Sequence, residues 1–481
     1  FPGSESPGAS NYRLLQSVVI NEALAHTDPP LEDAIEFRNT TASPVSINGW
    51  FLSNSKDHLR KYQITNTTPI PAGGYAVIYE YQFNNGTTNA FTLKAAYDDE
   101  IWLTATTSGV ETGDRATVSF GASLNGVSFG RVVTSQGVDF VPLTSRSFGV
   151  DSPASVAQFR TGAGGFNAAP VIGPIIINEI MYNPPGGTNG SDEFIELQNN
   201  TASSVPLYDP AYPTNRWKLG GGIEFTFPAS VSLAPGARML VVDFNPTNTT
   251  TLNAFRARYG ISNSVAVYGP FTGSLDNGGD VVKLYRSDTP QLSPPDAGFV
   301  PYVLADRVSY TDTAPWPTGN VDGGGHSLQR SLPTLYGNEP FNWSASAPTP
   351  GAVFDTDGDG IPDDVELVMG LNPNSAADAA LDPDLDAMTN YQEYLAGTSH
   401  TNASSNLKFT QIAVAGNVAL TFNAIADKTY SVLYKNALTD ANWAKLTDVP
   451  ASATNTVRTV NDALGGSATR FYRLSTPALA P

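Results

Sequence analysis

The chain has 481 residues, which at roughly 100–200 residues per domain predicts three or four domains and excludes a single small module. Hydrophobic residues reach 41% and charged residues only 15%, against about 25% charged in ordinary globular chains, so packed cores are expected beneath a surface of Ser, Thr, Asn and Gly. The formal charge of −19 excludes the cationic footprint that nucleic acid requires, and the absence of cysteine excludes disulfides, thiolate metal sites and cysteine nucleophiles together.

Residues 1–16 hold Pro2, Gly3, Pro7 and Gly8 before any apolar pattern begins and read as an N-terminal arm, a candidate donor strand. A first residue of Phe1 fits an exported chain whose leader has been removed. The expected location is therefore secreted, extracellular or on the cell surface. No apolar run approaches the ~18 residues that span a bilayer, and no membrane insertion is expected.

The first strand-like run is Ser17-Val18-Val19-Ile20-Asn21-Glu22, and a near copy recurs at Ile175-Ile176-Ile177-Asn178-Glu179. The copy continues in order, since Ile35-Glu36-Phe37-Arg38-Asn39-Thr40-Thr41-Ala42-Ser43 matches Ile195-Glu196-Leu197-Gln198-Asn199-Asn200-Thr201-Ala202-Ser203. Several similarities in register establish an internal repeat. Both copies alternate polar and apolar residues between Gly, Pro and Asn, the strand-and-turn pattern of a sandwich. With 43 Gly and 36 Pro, the expected fold class is mostly β: tandem immunoglobulin-like β-sandwiches over 17–170 and 171–352, joined to a last module by a short α-containing calcium-binding segment.

In the second copy, Ile177-Asn178-Glu179-Ile180-Met181-Tyr182-Asn183-Pro184-Pro185-Gly186, Asp192-Glu193-Phe194-Ile195-Glu196-Leu197, Leu275-Asp276-Asn277-Gly278-Gly279-Asp280, Trp316-Pro317, Asn342-Trp343 and Pro348-Thr349-Pro350-Gly351 follow one another. This series resembles the lamin tail domain of bacterial secreted proteins. The first copy lacks the Trp-Pro and Asn-Trp segments, so its likeness rests on the repeat. The resemblance implies an immunoglobulin-like sandwich used in attachment or assembly, without a shared catalytic site.

Residues 353–404 carry the strongest chemical signal. Asp355, Asp357, Asp359, the carbonyl of Ile361, Asp363 and Glu366 occupy every ligand position of a twelve-residue calcium loop, with Gly360 at the sharp turn. A second loop places Asp382, Asp384, Asp386, the carbonyl of Met388, Asn390 and Glu393 in the same positions, with Ala387 replacing the turn glycine. Eleven acids lie between 355 and 393, Asp378 among them, and no Lys or Arg occurs between Arg330 and Lys408. Such carboxylates repel one another unless a cation sits between them, so Ca2+ is the expected cofactor. Helical turns are expected at 363–369 and 389–396, ended by Gly370 and Gly397. The paired loops resemble dockerin-like and thrombospondin type 3 repeats, and because sensor sites normally have longer flanking helices with an apolar groove, a structural clasp is expected rather than a sensor. Residues 405–481 give about six strand-like runs and resemble a small fibronectin-type-III-like module, one strand short of the usual seven.

Other chemistry has weaker support. Gly126-Val127-Ser128-Phe129-Gly130 fits the hydrolase elbow expression, but its repeat partner Gly325–Gln329 lies in β-type sequence. Glu22, Glu36, Glu179 and Glu196 recur in both copies, which argues for a shared structural role over glycoside hydrolysis. His26, His58, His326 and His400 lack zinc-ligand spacing. The six Trp residues are scattered, as expected of core packing. Asn39, Asn66, Asn85, Asn189, Asn199, Asn248, Asn342 and Asn402 head Asn-x-Ser/Thr triplets.

The expected function is that of a non-enzymatic surface protein, a filament subunit whose modules are strung like beads. Its partner would be a further copy, joined head-to-tail by addition of the segment 11–18 as a strand. A monomeric adhesin, or a glycan-binding accessory region of a secreted hydrolase with surface glycans as partner, is the alternative.

Overall fold

A computed structural model of the chain describes residues 12–65, 68–185, 192–352, 355, 357–426, 428–452, 454–463 and 469–479. Two compact units, divided at 352/353, make up the protein. The first unit holds both repeats. In the first repeat, β1 (Arg13–Leu14), β8 (Val110–Phe120), β7 (Asp99–Thr107), β4 (Phe51–Ser53) and β5 (Tyr62–Gln63) form one sheet. The facing sheet runs β10 (Gly137–Pro142), β9 (Phe129–Thr134), β2 (Val18–Leu24), β3 (Ala34–Asn39) and β6 (Tyr75–Tyr79). Ile20, Ile35, Phe37, Leu52, Ile101 and Leu103 fill the space between them.

The second repeat is built likewise. Its six-stranded sheet contains β11 (Ile175–Met181) and β12 (Phe194–Asn199) at the centre, flanked by β17 (Arg238–Val242) and β22 (Ser327–Arg330). The opposite sheet centres on β14 (Lys218–Gly221), β20 (Gly279–Ser287) and β21 (Tyr302–Thr311). An inserted helix, Thr249–Tyr259, is capped by Asn248 and stopped by Gly260 at φ +68°.

The repeated residues have the same roles in both copies. A bulge falls between Ile20 and Glu22 in β2 and between Ile177 and Glu179 in β11, and it brings Glu22 opposite Glu36 and Glu179 opposite Glu196. These acids accept backbone N–H groups from the segments that close each sandwich: Ser147 on Glu22 and Gly165 on Glu36, then Thr349 on Glu179 and Gly351 on Glu196. Burial raises the pKa of Glu179, with the Glu196 charge adding to it, and burial carries Glu196 and Glu36 up to about 7. Asn39 and Asn199 each donate to three carbonyls of the neighbouring loops, as Asn39 to Ser43, Ile70 and Pro71 and Asn199 to Ser203, Leu233 and Ala234.

The fold bears on several of the sequence readings. The amide nitrogens of Asn39, Asn199 and Asn342 are committed inside the fold and offer no glycan acceptor; Asn66 and Asn189 lie outside the described residues. Ser128 is fully buried just before β9, in keeping with the reading of this segment as sandwich sequence and not as a nucleophile elbow. The arm is not free over its whole length: β1 pairs in parallel with β8 of its own sheet, Arg13 bonds Asp114, and Val18 already belongs to β2. The remainder of the arm, residues 1–11, lies outside the described residues. The two sandwiches are not separate beads. Asp139 at the end of the first accepts hydrogen bonds from Tyr336 Oη (2.8 Å) and Asn338 Nδ2 (2.7 Å) of the second and pairs with Arg307. Tyr97 stacks on Phe299 at 4.2 Å. The Trp-Pro segment, absent from the first copy, explains itself at this seam: Trp316 packs beside Trp343 and donates to Gln136 Oε1 at 2.7 Å.

The second unit contains the acidic segment and a small sandwich. Its sheets are β24 (Phe409–Ala415), β25 (Asn417–Ala424) and β28 (Thr456–Asp462), facing β27 (Ala444–Val449), β26 (Tyr430–Lys435) and β29 (Phe471–Ser475). Leu420, Phe422, Tyr430 and Val432 form its core. Six described strands make up these two sheets.

Candidate metal centre

The acidic segment folds as two successive loop-and-helix turns. Helices Asp363–Met369 and Asn390–Ala396 occupy the expected positions and stop at Gly370 and Gly397, both left-handed. Thr389 and Gln392 form a reciprocal capping box on the second helix. Each loop winds around its first aspartate. Asp355 accepts the N–H groups of Gly358 (2.8 Å) and Gly360 (2.9 Å), and Asp382 accepts those of Asp386 (3.2 Å) and Ala387 (3.0 Å). Asp359 and Asp386 then accept from the N–H groups of Ile361 and Met388, the residues at the seventh position of each loop, where a calcium ion would take a backbone carbonyl. Ala387 adopts φ +74° where the first loop has Gly360 at +93°, so the second loop keeps the same turn without the glycine.

This winding leaves oxygens without hydrogen-bond partners among the described residues. Asp357, Asp359, Asp384 and Asp386 each retain a buried Oδ2 with no hydrogen bond, and both carboxylate oxygens of Glu366 and of Glu393 are buried and unpartnered. Glu366 and Glu393 have no exposed surface. Buried polar atoms are almost always satisfied in native proteins, and an unpaired buried charge is costly. Burial, and then the neighbouring aspartates, push both glutamates up to about 7. The oxygens converge in three groups, Asp355, Asp357 and Asp359, then Asp359, Glu366 and Asp378, then Asp382, Asp384 and Asp386, each within 4.8 Å. Hard carboxylate and carbonyl oxygens at such spacing suit Ca2+. The residues present fit the ion.

Of the twelve positions expected from sequence, all lie in the two loops; Asp363 and Asn390 begin the helices and are buried. Asp378 belongs to neither twelve-residue template, and no spacing rule singles it out. It starts the 3₁₀ turn Asp378–Ala380 between the loops.

The architecture defines a class: tandem immunoglobulin-like sandwiches, a non-catalytic fold that serves structural and interaction roles. A family model for the lamin tail domain matches residues 15–121 and again residues 168–310. The chain belongs to the lamin tail domain family, and the match includes the first copy, whose likeness the sequence supported only through the repeat. No curated protein and no solved structure matches the chain significantly.

Proposed function

We propose that the chain is a non-enzymatic extracellular structural protein, with the segment 353–404 ordered by two calcium ions into a rigid clasp that precedes the C-terminal module. The observation that carries this reading is the pair of fully buried glutamates, Glu366 and Glu393, whose four oxygens have no hydrogen-bond partner among the described residues. A divalent ion supplies what the fold withholds. The test is calcium titration of the full chain with limited proteolysis before and after chelation. Two bound ions and protection of 353–404 by calcium are expected; no binding, or protection unchanged by chelation and by Asp355→Ala with Glu366→Ala, would sink the reading.

Assembly into a surface filament is favoured over a monomeric adhesin or a glycan-binding accessory region by one feature of the second unit. Edge strand β24 bears no charged residue or proline, and its Ile412 and Val414 are 55% and 71% exposed. Natural edges are normally blunted by charge, proline or cover, so this one suits pairing with a further copy of the chain. Electron microscopy with calcium and after chelation decides the matter: filaments support assembly, and dispersed particles under both conditions count against it.

A further inference from the structure

We propose that Asp378, outside both loops, is an additional ligand of the first calcium ion and that it couples the two sites. The inference rests on the calcium reading above and extends it by one residue and one property. Asp378 Oδ1 is buried without a hydrogen bond, while Oδ2 accepts the N–H of Asn372 at 2.8 Å, which fixes the carboxylate plane. Its oxygen lies within 4.8 Å of those of Asp359 and Glu366. Glu366, wholly buried with both oxygens unpartnered, points to a ligand in that same cluster independently of the acidic composition.

The same residue reaches the second loop through its main chain. Asp378 carbonyl accepts Asn390 Nδ2 at 2.8 Å, and Leu381 carbonyl accepts the Asn390 N–H at 2.8 Å. With its amide nitrogen so held, Asn390 presents a buried, unpartnered Oδ1 at the ninth ligand position of the second loop. An ion that binds Asp378 therefore fixes the turn that orients a ligand of the other site. The first site also gathers more carboxylates, Asp355, Asp357, Asp359, Asp363, Glu366 and Asp378, than the second, where Asn390 stands in the position of Asp363. Ligand charge raises calcium affinity, so the first site fills first and prepares the second.

The experiment uses the full chain and its Asp378→Asn variant, which keeps an acceptor for Asn372. Calcium titration should show two ions in the wild type, bound with positive cooperativity. In the variant the first affinity should fall about tenfold or more, and the second should lose a coupling of about fivefold or more. Terbium luminescence lifetimes in H2O and D2O should report one more inner-sphere water at the first site of the variant, a change that a merely structural role would not produce. Unchanged affinities or an unchanged water count overturn the assignment while leaving two calcium sites intact. Absence of any binding in the wild type overturns the calcium reading itself. Should the variant fail to fold, a calcium-loaded wild-type crystal decides: an Asp378 oxygen at about 2.3–2.6 Å from the first ion supports the proposal, and a longer separation refutes it.

Discussion

Gly360 and Ala387 occupy the same corner of the two loops, and exchanging their side chains tests whether both corners are adopted when calcium binds. A Cβ at Gly360 would sit 2.7 Å from Cε2 of Tyr391, a residue of the second loop's helix, with φ at +93°. The left-handed backbone costs an alanine about 1–2 kcal/mol, and crowding a packed ring adds about 1–3 kcal/mol. Gly360→Ala should thus lose about 2–5 kcal/mol, at least about thirtyfold in first-site affinity, because ordering the loop is part of binding. Ala387→Gly works in the opposite sense. It relieves the strain at φ +74° but returns about 0.4–1 kcal/mol of chain entropy to the unbound loop, leaving a gain of a few-fold at the second site. Calorimetric titration of both variants against the wild type measures each effect. If Gly360→Ala binds as tightly as the wild type, the first loop does not take up this corner on binding, and the shared winding of the two loops is refuted.

Calcium affinity should also depend on pH. Glu366 and Glu393 carry pKa values near 7 without the ion, against an ordinary 4.5, so protons compete and affinity should fall as pH drops from 7 towards 4.5; titrations in buffers of different ionisation heat should show proton release, and a flat profile would contradict the burial of these groups. Glu36 has the opposite meaning for the fold. Its folded pKa of about 7 exceeds 4.5, so the native state holds the extra proton and stability falls as pH rises through that window, by on the order of 3 kcal/mol for one group. Glu36→Gln should flatten the difference between unfolding midpoints at the two ends of the window, and an unchanged slope would refute the assignment. Asp139→Ala leaves Tyr336, Asn338 and Arg307 without their shared acceptor and should cost the seam about 2–3 kcal/mol; calorimetry should then resolve two transitions in the first unit where the wild type shows one, and a single unshifted transition would count against the seam.

The likeness between the copies was legible because each repeated residue acts locally. Asn39 and Asn199 tie down a turn a few residues away, and the Ile-Asn-Glu segments carry the bulge within one strand. The acidic loops were legible for the same reason, since a single turn brings Asp355, Asp357 and Asp359 together. Asp378 was not, because its carboxylate meets Glu366 only after the intervening helix and turn have folded. Nor was Asp139, whose partners lie in the other sandwich.

By itself the sequence determined the mostly β class, the repeat, and the two acidic loops with their helix stops, all set by alternation, turn chemistry and short-range spacing. Tertiary structure alone decided that the sandwiches share a seam, that residues 13–15 close onto β8 of their own sheet, and that the twice-repeated glutamates clamp the closing segments. The physical reason is separation along the chain. Contacts within a turn are encoded by neighbours, whereas a buried carboxylate acquires its partner only from the strand or segment that packing brings beside it.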